Sequence, residues 1–324
     1  MLPRNSVEII LAECGGLGNQ LFRYAALRYY AKRYGAKKMR ISIEPARYAQ
    51  SYGYPRPFLL SHFSITVPMR ERSLGDRVLF TGKGWLKRAA APAAKALRAQ
   101  VFTEDFSDCH YFLRDLPLEG HVRRLYLAGY WHNSVVVEEV ADELRSELAF
   151  KEPAQGKNLE VLKQIKQSRN PVALHVRRGD CTVSATNRVD LPLEYYLNAV
   201  STFKQRLGNP TFFVFSDDIA FVKEYLPRNV PMVFVDHNDD FSAHEDLRLM
   251  SSCHHQIIAN STFSWWGAWL NPRTDKMVIA PKQWYNTEDS YYPDLFPQSW
   301  ELADVVTASA EFFAEIEENS SLLI

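Results

Sequence analysis

The sequence predicts an α/β protein of two lobes, each built around a parallel sheet. Three observations predict it. Short apolar runs of strand length alternate with helical stretches, the pattern of repeated βαβ units. Glycine-rich or charged turns follow several of those runs. The 324 residues are enough for two modest domains at roughly 150 residues each. A stretch with Pro153 and Gly156, Lys151–Lys157, reads as a linker, so the expected lobes are 1–150 and 151–324.

In the first lobe, Val7–Ala12 reads as a strand, Gly15-Gly16-Leu17-Gly18 as a turn, and Asn19 to Tyr34 as a helix. Gly35 sits where a left-handed residue ends a helix. Phe22, Ala25, Ala26, Tyr29 and Tyr30 recur at helical spacing, and Met39–Ile43 is the next strand. Residues 44–125 are broken by Pro55, Pro57 and Pro68. Within them, Arg77 to Arg98 carries six basic side chains and no acid: Arg77, Lys83, Lys87, Arg88, Lys95 and Arg98. That segment is either a solvated helix or a contact for an anionic membrane surface or acceptor. Leu125–Ala128 is a short strand leading through Gly129-Tyr130-Trp131-His132-Asn133 to a helix over about Val135–Leu148.

The second lobe alternates more regularly. Its strands are Val172–Val176, Thr211–Phe215, Met232–Val235, Gln256–Ala259 and Lys276–Ala280. Helices follow Pro192 up to Gly208, then cover Ile219–Leu226, about Ala243–Ser252, and a short stretch through Trp265–Leu270. The tail, about 309–318, reads as a helix expected to pack back on the first lobe.

Composition excludes several functions. The 38 basic and 38 acidic side chains balance, so the chain lacks the basic footprint of a general nucleic-acid binder. Its apolar fraction of 46% against 23% charged residues argues against disorder. No apolar run approaches the roughly 20 residues of a membrane-spanning helix, and the N-terminus has no signal-peptide pattern. Cys14, Cys109, Cys181 and Cys253 form no C-x-x-C pair and read as free thiols in a reducing compartment, with cytoplasm the expected location.

Four turns carry candidate chemistry: Gly15–Gln20, Gly129–Asn133, Arg177–Asp180 and Asn260–Ser264. In open α/β sheets ligands sit beyond the carboxyl ends of the strands, where such turns lie. Arg177 and Arg178 follow a buried strand, and guanidinium groups match phosphate oxygens. The competing reading is a structural pair with Asp180. Asn260-Ser261-Thr262 ends a strand and opens a helix, either as an anion site or as an ordinary cap. The glycine turn lacks the dinucleotide fingerprint, since residue 21 is Leu, and it lacks the P-loop Lys-Ser/Thr. Asp217-Asp218 fits a helix cap, a nucleotide contact or, least well, a metal ligand. Trp265, Trp266 and Trp269 fit core packing better than sugar stacking, and His254-His255 fits packing or hydrogen bonding.

Taken together, four segments resemble the α-1,2-fucosyltransferases of glycosyltransferase family 11. They are Gly15-Gly16-Leu17-Gly18-Asn19-Gln20-Leu21-Phe22, the H-x-R-R-G-D stretch from His175 to Asp180, Phe215-Ser216-Asp217-Asp218, and Asn260-Ser261-Thr262-Phe263-Ser264-Trp265-Trp266. The resemblance implies a GT-B-like fold, two Rossmann-like lobes facing across a cleft. It implies an inverting, metal-independent transfer of L-fucose from GDP-L-fucose to the 2-OH of a galactose-terminated oligosaccharide. It places the donor in the second lobe. Arg177 would hold the β-phosphate, with His175 and Arg178 in support. Ser261, Thr262 and Ser264 would contact the phosphates, with Asn260 opening their loop. Asp217 or Asp218 would lie on the guanosine side. Gly16, Gly18, Asn19 and Gln20 would form the opposite wall.

Two positions depart from the family pattern. Cys181 replaces an aromatic, and His132 stands where Gln is usual. His132 either alters acceptor contacts or acts as a base; Asp180 is the other candidate base, or a buttress for the arginines. The eukaryotic relatives carry an N-terminal anchor, so this chain resembles a bacterial cytoplasmic enzyme. The alternatives are another linkage, a peptide acceptor, or a non-catalytic glycan-binding protein.

Overall fold

The computed structural model describes residues 7–12, 15–43, 56–80, 92, 94–103, 118–120, 122–178, 191–285 and 293–305. The chain divides into two compact units. The first takes 1–155 together with 238–248 and 292–298; the second takes the rest. A single boundary near 150 therefore does not describe the division, because two later segments belong to the first unit. Lys83, Lys87 and Arg88 of the basic segment, the tail helix expected at 309–318, and Asp180 and Cys181 lie outside the described residues.

The first unit contains β1 (Glu8–Ala12), α1 (Leu17–Tyr34), β2 (Lys38–Ile43), β3 (Met69–Glu71), α2 (Leu74–Phe80), β4 (Ala99–Thr103), β5 (Arg124–Ala128), α3 (Ser134–Glu138) and α4 (Ala141–Glu147). Its sheet runs β3-β2-β1-β5-β4, parallel throughout. Ile9, Ile10 and Leu11 are fully buried because a parallel sheet is covered on both faces. Helix α1 ends at Gly35, whose φ of 62° is left-handed and whose N–H donates to the Ala31 and Lys32 carbonyls. Instead of one helix over 135–148 there are two. Val140 (φ −125°, ψ 25°) interrupts the helical backbone, and its buried side chain lies in a segment rich in β-branched valines.

Helix α2 carries a buried carboxylate in its first turn. Asp76 accepts from both terminal nitrogens of the Arg40 guanidinium, from Ser42 Oγ, from the Ser73 N–H and from the Tyr126 hydroxyl. Burial alone would raise its pKa. The Arg40 and Ser73 bonds overcome that and hold it at about 2.

The second unit contains α5 (Gly156–Gln167), β6 (Pro171–Val176), α6 (Leu193–Leu207), β7 (Thr211–Ser216), α7 (Ile219–Tyr225), β8 (Met232–Val235), β9 (His255–Ile257), α9 (Thr262–Leu270), β10 (Val278–Pro281) and β11 (Glu301–Ala303). Helix α8 (Ala243–Ser252) crosses the boundary between the units. The sheet order is β11-β10-β9-β6-β7-β8, again all parallel. Side-chain alternation divides its core. Val172, Leu174 and Val176 pack with Tyr196, Ala199 and Phe203 of α6 on one face. Ala173, Phe213 and Phe215 pack with Val161 and Ile165 of α5 and Leu249 of α8 on the other.

Trp265, Trp266 and Trp269 are enclosed in this unit. The helix that carries them can approach α8 closely only through a glycine: a Cβ on Gly267 would stand 3.0 Å from Met250 Cβ. Cys253 is buried and unbridged, and burial pushes its thiol pKa up. Among the described residues, no helix is long and apolar enough to cross a membrane.

Candidate functional site

Strand order locates the chemistry in each unit. In the second sheet the chain builds outward from β6 through β7 and β8, then returns to the other side of β6 as β9. The switch point lies between β6 and β9, and ligands bind beyond the carboxyl ends at such points. In the first sheet the equivalent point lies between β1 and β5.

Beyond β6 the register dictates an ion pair. Val176 is opposite Ser216, so the next residues, Arg177 and Asp217, emerge side by side. Arg177 Nε stands 3.2 Å from Asp217 Oδ2. The other oxygen of Asp217 accepts the Arg178 backbone N–H at 3.0 Å. Asp218 caps α7, accepting from the Phe221 N–H at 3.0 Å, and its second oxygen lies 3.4 Å from Arg178 Nε. The Arg178 guanidinium stacks 3.6 Å from the centroid of Phe221. Two carboxylates thus hold two adjacent guanidinium groups. Asp217 and Asp218 are joined to the arginines, and Asp218 is also a cap. Among the described residues no group of three His, Cys, Asp or Glu side chains has metal-site geometry.

His175 is buried just before this pair. Its ring meets Phe263, from the first turn of α9, at 5.8 Å edge-on. Burial, and then the positive charge of Arg177, push its pKa down to about 3, so the imidazole is neutral at physiological pH. Its Nδ1 is buried with no hydrogen-bond partner among the described residues. Such an atom normally has a partner in a complete site.

Across the switch point, β9 leads into α9. Ser261 is the N-cap, its Oγ accepting from the Phe263 N–H at 3.4 Å. The Ser264 hydroxyl donates to the Ala259 and Ser261 carbonyls, and Asn260 Nδ2 donates to the Trp284 carbonyl. Asn260 and Ser264 therefore shape the loop from within. Ser261 and Thr262 sit at the helix N-terminus, where backbone N–H groups and the dipole favour an anion.

In the first unit, the ends of β1 and β5 bring Asn19 and His132 together, His132 Nε2 to Asn19 Oδ1 at 3.1 Å. The imidazole packs against Phe22 and Tyr130, with ring centroids 5.1 and 5.5 Å away. Both turns use unusual backbone. Gly15 has φ 86°, and a Cβ there would lie 3.2 Å from Asn19 Cβ. Trp131 has φ 49°, a left-handed conformation that costs energy for an aromatic residue and recurs at functional sites. Asn133 then caps α3 through the Val135 and Val136 N–H groups.

Gln20 is a structural residue. Its amide nitrogen donates to the Gly15 and Pro57 carbonyls and its oxygen accepts the Leu59 N–H, so its hydrogen-bonding groups are committed inside the first unit. Gly16 is the N-cap of α1, and Gly18 is buried in its first turn. Asp180 lies outside the described residues. Sequence reasoning missed Phe221 and Phe263, which back Arg178 and His175. Their signal was positional: each follows its helix's N-cap by two or three residues.

The family model described as glycosyl transferase family 11 matches residues 97–302. An alpha-1,2-colitosyltransferase of Escherichia coli is 30% identical over 305 residues, 91% of this chain and 98% of that protein. The human galactoside alpha-(1,2)-fucosyltransferase 1 is 24% identical over 266 residues, 79% of this chain and 63% of that protein. In fold, the chain is similar to the crystal structure of fucosyltransferase NodZ from Bradyrhizobium. Their TM-score is 0.50 at 14% identity, covering 81% of this chain and 92% of that one. That likeness concerns the fold, two parallel α/β units of GT-B type. The matched segment covers both arginines, the paired aspartates and the Asn260–Ser264 loop, and the chain belongs to glycosyl transferase family 11.

Proposed function

We propose that the chain transfers L-fucose from GDP-L-fucose to the 2-OH of a terminal galactoside, with inversion and without a metal ion. One observation carries the reading: Arg177 and Arg178, held by Asp217 and Asp218, stand at the switch point where α9 also presents its N-terminus. Family membership and the α-1,2 linkage in the names of both sequence relatives support it.

The acceptor O2 forms a bond to C1 of fucose on the face opposite the leaving group. The C1–O bond to the β-phosphate breaks, and its electron pair leaves with GDP. Negative charge then grows on that phosphate. Arg177 and the N-terminus of α9 are fixed charges suited to receive it, and fixed charge of this kind is the largest single source of rate enhancement in many enzymes. The acceptor proton goes to a base or to water. His132, fixed by Asn19, and Asp180 are the candidates. Asn19, with Gly16 and Gly18, belongs to the acceptor side.

A second reading concerns only the donor. The E. coli relative is named for colitose, the 3-deoxy counterpart of L-fucose. Incubation with lactose and either GDP-L-fucose or GDP-colitose, followed by NMR of the product, separates the two. We expect fucose on O2 of galactose. Turnover with colitose alone would reassign the donor, and any other linkage would reject the reading. Donor binding without transfer to any galactoside would point to a glycan-binding protein.

A further inference from the structure

The turn after β5 uses backbone strain to sort three consecutive rings. Trp131 is left-handed, with φ 49°. Strain of this kind persists only where the surrounding structure imposes it, and it gathers at binding sites. The Trp131 indole is buried and meets Tyr30 and Phe102, with ring centroids 6.3 and 6.2 Å away. Tyr130 and His132 pack on each other instead, their centroids 5.5 Å apart. His132 is buried and also meets Phe22 at 5.1 Å. Trp131, His132 and Asn133 are all buried, whereas Tyr130 is half-buried, so Tyr130 is the ring of this turn that reaches solvent.

That ring is also held in place. Arg23, on α1, has its guanidinium 5.5 Å from the centroid of Tyr130 and is itself buried. Burying a guanidinium is costly, and a cation over a ring face favours one orientation of the ring. Tyr130 stands just beyond the carboxyl end of β5, at the switch point of the first sheet. Its neighbour His132 is fixed by Asn19 at 3.1 Å. A ligand arriving there meets an aromatic ring and, next to it, a polar pair.

We infer that Tyr130 is the residue on which the acceptor sugar packs, and that it favours a pyranose with an axial 4-hydroxyl. The inference rests on the galactoside reading above. In a β-galactoside the axial 4-hydroxyl points to one face of the sugar. The C–H groups of C3, C4 and C5 then gather on the opposite face, as one apolar patch. In the gluco epimer the C4 hydrogen points the other way and the patch is divided. An aromatic face carries partial negative charge and attracts such polarised C–H groups. Packing by this face leaves the equatorial hydroxyls, O2 among them, at the edge of the sugar, where the His132 imidazole can meet one of them.

Two measurements test it: initial rates with varied lactose and varied GDP-L-fucose, and saturation-transfer NMR of methyl β-galactoside and methyl β-glucoside in the presence of GDP. We expect Tyr130→Leu to raise KM for lactose about tenfold, the scale of one lost aromatic contact, and to leave KM for the donor unchanged. Tyr130→Phe keeps the ring and should stay close to wild type. With the wild type, saturation should be strongest at H3, H4 and H5 of the galactoside and weaker throughout on the glucoside. This pattern is read on the wild type, so it decides even if Tyr130→Leu does not fold. An unchanged lactose KM in a folded Tyr130→Leu, a rise in donor KM in its place, no saturation of the galactoside, or equal saturation of all its hydrogens would each overturn the inference. Absence of fucosylated lactose together with the H3–H5 pattern would remove the reaction assigned above and leave Tyr130 as the galactoside platform.

Discussion

Arg177 and Asp217 leave neighbouring strands at the same level and meet at 3.2 Å, so one guanidinium is aimed before any substrate arrives. Pre-aimed charge avoids reorganisation during the reaction. Arg177→Ala should lower kcat by about 10²–10³, the range for losing one such stabilising group. Arg177→Lys should recover little, because a point charge lacks the planar fork. Asp217→Asn keeps the shape but removes the charge, and should raise KM for the donor more than it lowers kcat. Steady-state kinetics with varied donor check all three. Near-normal turnover in Arg177→Ala would remove the phosphate role.

Much of this site was legible in the sequence because its parts are local. A charged turn after a buried strand, a Ser-Thr pair at a helix start and a double aspartate each announce themselves within a few residues. Partnerships across strands were not legible. Register decides that Asp217 meets Arg177, and register is a tertiary property. The strands around β6 declared themselves as apolar runs. Helix α5 did not, because only Val161 and Ile165 form its buried stripe and the rest is polar. Strands β3 and β11, three residues each, are too short to show a period.

His132 gives a second expectation. A base within reach of the acceptor hydroxyl contributes about 10²–10⁴ in rate. If the His132 imidazole takes that proton, His132→Gln should lose about that factor in kcat, and the acid limb of the wild-type pH profile should flatten. Gln preserves a hydrogen bond to Asn19, so a merely structural role would leave both kcat and the profile close to wild type. Asn19→Ala should mimic the loss through misorientation of the ring, with a smaller effect on kcat and a clear rise in acceptor KM.

Metal removal gives a third. Two guanidinium groups and a helix N-terminus can neutralise a departing diphosphate without a cation, and Asp217 and Asp218 are occupied by the arginines and the α7 cap. Activity in excess EDTA should therefore equal activity in buffer. Strong inhibition reversed by Mg²⁺ or Mn²⁺ would return the paired aspartates to a metal role.

The last expectation concerns pH and stability. His62 and His244 stack face to face in the first unit, ring centroids 3.6 Å apart, with Glu245, Arg248 and Lys151 as the charged groups around them. Burial lowers the pKa of both, and that of His244 reaches about 4, with the His62 ring adding to the shift. The unfolded chain takes up these protons near 6.5 and the folded chain resists, so the pair loses stability as pH falls from about 6.5 towards 4. For His244 that amounts to at most about 3 kcal/mol. Asp246 on the same helix works in the opposite direction. Burial raises its pKa to about 7, so the folded state prefers its proton and stability rises as pH falls from about 7 towards 4. The two slopes partly cancel in the wild type, which is why a single melting profile would hide both. His244→Phe keeps a flat ring against His62 and removes the titration. Its melting temperature relative to wild type should therefore climb steadily as pH is lowered from 6.5 to 4.5. Asp246→Asn should show the reverse, gaining on wild type as pH rises from 5 to 8. Parallel melting curves for wild type and His244→Phe across that range would show that the stacked pair carries no linkage to protons.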